Sequence, residues 1–190
     1  MSVNNINYDK MDSNPICLNI PWYEDKDRLK KWEQGETGYP WVDTIMKQLK
    51  NEGWIHYVCR LATSTFLTRR DLWLSWEDGL KVAVYCVIWC LTSTCWMLIG
   101  RCVLETGCGC LAPPSRRFSS VPVRYGRKMD PDGVYIRRYL PILKNMPICY
   151  LFEPWKAPKA VQEKAGCVIG VDYPKPMVDH AKASKDCYNM

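Results

Sequence analysis

The sequence predicts an all-α protein that forms one domain. Its 190 residues suffice for one sizeable hydrophobic core, and no internal repeat divides them into equal units. With 47% hydrophobic, 12% aromatic and 24% charged residues, the composition is that of a folded globular chain. Apolar residues recur at helical spacing after Tyr39, and the segment 55–76 contains no strand pattern.

The N-terminal segment 1–27 is predicted to be an extended loop. It is rich in Asn, Asp and Pro, and turns are indicated before Pro15 and Pro21. Ile16 and Trp22 are the apolar residues expected to anchor it.

Helices are predicted where apolar residues fall on one face. In the first, Trp41, Ile45 and Leu49 form that face, and Gly53 marks the end. A basic loop is expected from Arg127 to Gly133, and the tail over 147–176 should be loop with short helical pieces, because prolines interrupt it. The predicted helices cover 38–52, 54–68, 71–82 and 134–140.

Charge and chain start narrow the class of protein. The net charge of +6 is spread along the chain without a run of five like charges, which favours a solvated surface over a nucleic-acid footprint. The residues after Met1 lack the basic start and apolar core of a signal peptide. A reducing cytosol or nucleus is therefore the expected compartment.

The uncharged run between Lys81 and Arg101 has to be weighed as a membrane span. A helix of that length would span about 28 Å, close to the hydrocarbon thickness of a bilayer. The run contains Thr92, Ser93 and Thr94 and many Cys, so we expect no membrane association.

The eleven cysteines are not expected to bind metal. Cys108 and Cys110 are one residue too close for the common two-residue knuckle of zinc sites. His56 and His180 show no ligand spacing either. We expect no metal.

Five strings identify a resemblance that covers most of the chain outside 83–120. They resemble the cryptochrome/photolyase family, and within it the C-terminal, FAD-binding helical domain of animal cryptochromes. The strings are KWEQGETGYPWVDTIMKQL at 31–49, EGWIHYVCR at 52–60, FLTRRDLWLSWEDGLKV at 66–82, MDPDGVYIRRYLP at 129–141 and CVIGVDYPKPMVDHAKAS at 167–184.

This resemblance implies that residues 1–190 form part of the photolyase-like FAD-binding helical domain. Whole members of the family carry an α/β antenna domain and a phosphate-binding helical segment before this point. We therefore expect the chain to be truncated at its N-terminus relative to the family.

The stretch 83–120 departs from the family and is interpreted as frame-shifted. The family carries the flavin-facing string Leu-Asp-Ala-Asp-Trp and then Asn-Trp-Met-Trp where residues 95–110 read CWMLIGRCVLETGCGC. If each shifted codon takes the last base of one codon and the first two of the next, Cys95-Trp96 requires Leu and Trp96-Met97 requires Asp. The rest of the family string is also permitted, with Cys and not Asn beside the flavin, as in light-sensing insect-type cryptochromes. The shift also explains the crowded cysteines, and this stretch is expected not to fold as in the family.

The resemblance implies FAD as cofactor and assigns it four residues. Arg60 matches the arginine that lies under the flavin and holds a carboxylate against it, although an arginine on a helix surface needs no such role. Trp54, His56 and Tyr57 match the lining of the flavin pocket. Tyr57 departs from the family's His-His pair. Tyr57 and Leu61 also stand where six-four photolyases need histidines, so proton transfer to a DNA lesion has no imidazole there.

Three tryptophans match the family's electron-transfer chain. Trp76, Trp22 and Trp73 stand at these positions, and core packing alone would also explain each of them. The tryptophan that would touch the flavin belongs to the shifted string.

The function implied is a fragment of a flavin-dependent blue-light photoreceptor of the circadian clock, unable to bind FAD alone and not an enzyme. Its expected partners are circadian-clock proteins, with DNA only if it is photolyase-like, and its expected location is the nucleus and cytoplasm. Two alternatives stay open: a fragment of a light-driven DNA photolyase, and a non-functional product of a frame-shifted or mispredicted transcript.

Overall fold

The computed structural model describes residues 22–75, 78–79 and 122–183. The predicted loop up to residue 21, Trp76, and the frame-shifted stretch 83–120 therefore lie outside the described residues. Within them the fold is helical, and the two β-bridges, Tyr23 with Leu74 and Ile169 with Tyr173, are isolated. The all-α prediction is confirmed.

The α-helices and short turns follow one another in a simple order. The α-helices are α1 (Lys26–Gln34), α2 (Pro40–Glu52), α3 (Tyr57–Thr65), α4 (Pro122–Met129), α5 (Val134–Tyr139), α6 (Ile148–Leu151) and α7 (Lys159–Ala165). A π-helical turn, Phe66–Arg70, continues α3, and 3-10 turns occupy Pro141–Leu143 and Pro154–Lys156.

Helix α2 is the centre of the first hydrophobic cluster. Its start is favoured by Pro40 at the first helical position, and Gly53 ends it with a φ of 68°. It contacts α1, α3, α4 and α5. Val42 and Ile45 are fully buried on it, so the apolar face of this helix helps to hold the neighbouring helices.

Helix α5 joins the second hydrophobic cluster to α2. Ile136 on α5 packs with Leu143 and Leu151, and all three are fully buried. Tyr135 donates a hydrogen bond from its hydroxyl to Gln48 Oε1 on α2, at 2.6 Å. The prediction of helices over 38–52 and 134–140 is thus confirmed to within two residues.

The predicted helix over 71–82 is wrong at its start. Residues 71–75 form a turn and an isolated bridge. Trp73 has a φ of 54°, which lies in the left-handed region and outside the range of a right-handed helix. The Tyr23 N–H donates a hydrogen bond to the Trp73 carbonyl at 2.8 Å. This tertiary contact overrides the helical spacing of Trp73 and its neighbours.

Two further elements differ from the predictions. The basic loop expected from Arg127 to Gly133 begins inside α4, which extends to Met129. Helix α1 was not among the predicted helices. Its N-cap Asp25 accepts a hydrogen bond from Arg28 N at 2.9 Å, and Gly35 ends it with a φ of 66°.

The part of the tail that follows α7, residues 166–183, contacts the start of α2. Met177 N–H bonds to the Thr37 carbonyl at 3.0 Å, and the Tyr39 hydroxyl donates to the Val178 carbonyl at 2.8 Å. The tail was predicted as loop with short helical pieces, and α6 and α7 agree with that. None of the helices in the described ranges is long and apolar enough to cross a membrane.

Candidate functional site

The residues predicted to face a flavin lie at the start of α3. Residues Trp54 to His56 are not helical, and α3 begins at Tyr57, so the helix predicted from residue 54 starts three residues later. His56 is the N-cap, and its Nδ1 accepts a hydrogen bond from Val58 N at 3.3 Å. The side chain of Tyr57 lies outside the described residues.

Trp54 and His56 form an open aromatic surface. Their ring centroids lie 6.5 Å apart in an edge-to-face arrangement. Trp54 is 51% exposed, which is unusual for the largest apolar side chain. An indole left at the surface beside an imidazole offers a flat face against which a planar ligand can stack.

Arg60 lies one helical turn further along α3. Its Nε donates a hydrogen bond to the Ile55 carbonyl at 3.0 Å, and the residue is half-buried. The bond orients the guanidinium relative to the segment that carries Trp54. A cationic group in the first turn of α3 and an aromatic surface formed by residues that precede this helix therefore lie at the same helix end.

These residues fit one wall of an FAD site. FAD presents planar rings, which suit the exposed Trp54, and it carries negative phosphates and electron-rich ring atoms, which suit Arg60. The other polar groups that a flavin needs do not belong to this set. Among the described residues, no cluster of three or more His, Cys, Asp or Glu side chains could hold a metal ion.

Two of the three tryptophans predicted to transfer electrons lie next to each other. The ring centroids of Trp22 and Trp73 are 5.9 Å apart and tilted by 41°. Trp73 is buried, Trp22 is half-buried, and the strained backbone of Trp73 is held by the Tyr23 bond described above. The third, Trp76, is not among the described residues, and the electron-transfer role stays a prediction.

A buried carboxylate closes the start of α2. Asp43 accepts hydrogen bonds from Thr37 N at 2.8 Å, from Thr37 Oγ1 at 2.6 Å and from Gly38 N at 3.1 Å. The Tyr173 hydroxyl also donates to it. Burial raises the pKa of Asp43 to about 6, and the hydrogen bonds from Thr37, Tyr173 and Gly38 keep it from rising further.

Sequence reasoning missed a second polar pair, His180 with Asp71. His180 Nδ1 lies 2.6 Å from Asp71 Oδ1, and the Asp71 side chain is fully buried. The two residues are 109 positions apart, so no local sequence pattern predicts this contact. It links the tail to the turn that follows α3.

Comparison with known proteins gives the family. The sequence matches the FAD binding domain of DNA photolyase over residues 1–190. The chain belongs to this family. The resemblance to cryptochromes and photolyases is therefore confirmed, and so is the photolyase-like FAD-binding helical domain as its fold. FAD is confirmed as the cofactor of the family.

The relatives include cryptochromes of animals. Cryptochrome-1 of Gallus gallus is 47% identical over 188 residues, which cover 97% of this chain and 29% of that protein. Cryptochrome-1 of Rattus norvegicus is 46% identical, with 97% of this chain and 30% of that protein covered. The chain thus spans less than a third of the length of these relatives.

Solved structures show the same fold. A cryptochrome of Synechocystis sp. PCC6803 is 32% identical with a TM-score of 0.80, over 90% of this chain and 34% of that one. A bacterial class III photolyase of Agrobacterium tumefaciens is 32% identical with a TM-score of 0.76, over 90% and 35%. The structural neighbours therefore include both a cryptochrome and a photolyase.

Proposed function

We propose that this chain is part of a flavin-dependent blue-light photoreceptor of the cryptochrome type, and that the start of α3 forms one wall of its FAD site. The observation that carries the proposal is the position of Trp54, His56 and Arg60 on one end of α3 in a chain of this family. Bound FAD would supply the absorption of blue light and the capacity to accept an electron.

The residues of this wall would have distinct roles. Trp54 would stack on a ring of the cofactor and exclude water from it, since half of its surface is exposed without a ligand. Arg60 would hold an anionic group, and its bond to the Ile55 carbonyl orients it for this. His56 would fix the start of α3, and Tyr57 would complete the lining.

Trp22 and Trp73 would supply the electron. Adjacent indole rings can each be oxidised transiently, and a centroid separation of 5.9 Å keeps them in contact. Burial of Trp73 and its fixed backbone would keep the pair in place while charge moves. Trp76 would extend the pair.

Signalling is favoured over DNA repair for this chain. The positions of Tyr57 and Leu61 offer no imidazole to act as a general acid on a lesion, and the two relatives compared above are cryptochromes. We propose circadian-clock proteins as partners and the nucleus and cytoplasm as location. A light-driven photolyase is the second candidate, favoured by the likeness to the Agrobacterium tumefaciens photolyase.

The 190-residue chain on its own is expected to retain no FAD at about one molecule per chain. A ligand on an open wall keeps most of its water and gains little free energy from burial. The measurement is the absorbance of oxidised flavin that co-elutes with the chain in gel filtration. A stable yellow complex would show that the chain contains the whole site.

A titration tests the wall itself. FAD should quench the fluorescence of the chain at high concentration, and Trp54→Ala and Arg60→Gln should each weaken this binding by about tenfold. Val134→Ala and Arg138→Gln, at exposed positions of α5, serve as matched controls. Equal FAD binding by all four variants would reject the wall. A separate assay tests the photolyase candidate. Under blue light the chain should leave a dimer-containing oligonucleotide unrepaired, and repair would instead support the photolyase candidate.

The codon pattern supports a further candidate, a product of a frame-shifted transcript. Residues 95–110 are compatible, in a shifted frame, with the family's flavin-facing string. Sequencing the transcript across codons 80–122 tests this. Codons that cannot spell Leu-Asp-Ala-Asp-Trp in the shifted frame would exclude it.

A further inference from the structure

A large cleft lies apart from the wall at the start of α3. Its volume is ≈ 1040 Å³, and it is lined by the start of α2, by α4, by the segment from Glu153 to Gln162 and by parts of the tail. None of Trp54, His56 and Arg60 lines it. A ligand in this cleft would therefore be a second ligand, separate from the proposed flavin.

The charges that line the cleft are mainly positive. Five cationic side chains face two carboxylates there, those of Glu153 and Asp179. Glu153 is already engaged, because Arg127 lies 3.0 Å and Lys156 2.5 Å from its carboxylate. The remaining cations are Arg124, Lys159 and Lys175.

In the part of the chain that the structure describes, those three cations have no ion-pair partner. Within the described ranges, no ion pair or hydrogen bond joins the side chain of Arg124, Lys159 or Lys175 to another residue. They come from α4, from α7 and from the tail, and still line one cavity. Cations that converge on a cavity without carboxylate partners favour an anionic ligand, and phosphate groups are strong acceptors for them.

One side of the cleft is aromatic and apolar. Trp155 lines it and is half-buried, and the buried Tyr39 supports its ring edge-to-face with centroids 5.2 Å apart. Ile169 and Met177 line the cleft as well and are half-buried. Such a surface suits an aromatic ring, because an indole stacks on any planar base.

The tail that forms one wall of the cleft is fixed at several points. The Thr37 carbonyl and the Tyr39 hydroxyl bind it at Met177 and Val178, at 3.0 and 2.8 Å. The contact of His180 with Asp71, at 2.6 Å, adds a third point. A cleft whose wall is already ordered loses less conformational entropy on binding.

We infer that this cleft binds a small phosphorylated ligand with an aromatic ring, of the chemical class of nucleoside triphosphates. Its volume is near the upper end of the cavities that hold small molecules and cofactors. The phosphates bind Arg124, Lys159 and Lys175, and the base lies against Trp155. The inference does not rest on the proposed flavin site, because no residue is shared.

The test is calorimetric titration of the 190-residue chain with ATP, adenosine and inorganic triphosphate. ATP should bind more tightly than either of its parts. The double variant Lys159→Gln/Lys175→Gln should weaken ATP binding by at least about tenfold, and Lys144→Gln/Lys164→Gln, with two exposed lysines outside the cleft, should leave it unchanged.

Trp155→Phe sharpens the test, because it keeps a ring in the apolar cluster and reduces the stacking area. It should weaken ATP binding and leave that of inorganic triphosphate unchanged. Absence of ATP binding, or equal loss in both lysine variants, would overturn the inference. Binding of triphosphate as tight as that of ATP would also overturn it, since a plain polyanion site would then suffice. Flavin absorbance of the same samples reports on the α3 wall separately.

Discussion

The starts of α2 and α3 are built in opposite ways. At α2, the Asp43 carboxylate accepts hydrogen bonds from Thr37, Gly38 and Tyr173, and every one of these groups is buried. At α3, the exposed His56 accepts one long bond of 3.3 Å. At the start of α2, buried groups of the chain itself supply the hydrogen bonds. At the start of α3, the aromatic surface is exposed to solvent.

This difference assigns the two ends to different tasks. Removal of one member of a buried hydrogen-bond network leaves the other members without partners. Substitutions at the start of α2 should therefore lower the free energy of unfolding strongly. An exposed end loses little free energy of folding on substitution and stays open to a ligand. Stability changes should therefore concentrate at α2, and ligand effects at α3.

The largest loss of folding stability is expected for Gly38→Ala at the start of α2. Gly38 has a φ of 80°, and a Cβ there would lie 2.4 Å from the Lys175 carbonyl oxygen, which is backbone and cannot swing away. We expect a loss of at least about 4 kcal/mol in the free energy of unfolding, from the left-handed backbone and the clash together.

Gly53→Ala is the matched control at the end of α2 nearer to α3. Gly53 has a φ of 68°, but nothing lies within 4 Å of the added Cβ. Only the backbone cost of about 1 kcal/mol should appear. Urea unfolding of both variants measures the difference, and equal losses would contradict the view that the start of α2 is closely packed.

Asp43→Ala, also at the start of α2, should lower the free energy of unfolding by about 3 kcal/mol. Three buried donor residues lose their acceptor, at about 1–3 kcal/mol for each unsatisfied group, and the removal of a buried carboxylate offsets part of this cost. Asp132→Ala, at an exposed position, should change the free energy of unfolding by less than about 0.5 kcal/mol. A loss for Asp43→Ala as small as that of the control would show that the network contributes nothing.

The pH dependence of stability sharpens the same point. Burial raises the pKa of Asp43 from 3.8 to about 6, so the folded chain binds its proton more tightly than the unfolded chain. The contribution of this group is therefore present below pH 3.8 and is lost as the pH rises through 6. Relative to Asp43→Asn, the native chain should gain about 1.4 kcal/mol between about pH 7 and pH 5.

Denaturation of both proteins at several pH values measures this gain. Using the difference between them removes the other titrating groups, including Glu52, whose pKa is lowered by the Tyr139 hydroxyl. Two parallel curves, or a native chain that loses stability relative to the variant on acidification, would show that burial does not control Asp43.

The elements that sequence predicted well are those in which local pattern and tertiary contacts agree. Helix α2 has both an apolar face and Gly53 at its end. Helix α1 is mostly charged, and the burial of Trp32 that fixes it comes from other segments. At Trp73 the local spacing indicated a helix, but the contact with Tyr23 holds a left-handed backbone there. Pattern cannot report contacts with distant residues.

The sites divide along the same line. Arg60, Trp54 and His56 could be predicted because they lie within one matching string, EGWIHYVCR. The cations of the cleft, Lys159 and Lys175 among them, come from separate segments, each of which looks like an ordinary solvated surface. Their convergence depends on how the tail packs on α2, which no spacing in the sequence encodes.

The smallest loss of folding stability is expected for Trp54→Ala at the start of α3. Trp54 is 51% exposed, so its truncation removes little buried surface and should change the free energy of unfolding by no more than about 0.5 kcal/mol. Trp41→Ala on α2 is the matched comparison: that side chain is 4% exposed, and its truncation should cost about 3–5 kcal/mol. Thermal or urea unfolding of the two variants without ligand measures both values. A loss above about 1.5 kcal/mol for Trp54→Ala would mean that the indole is held by the fold like a core residue. The start of α3 would then be a structural end like that of α2, and its exposed aromatic surface would no longer support a role in binding.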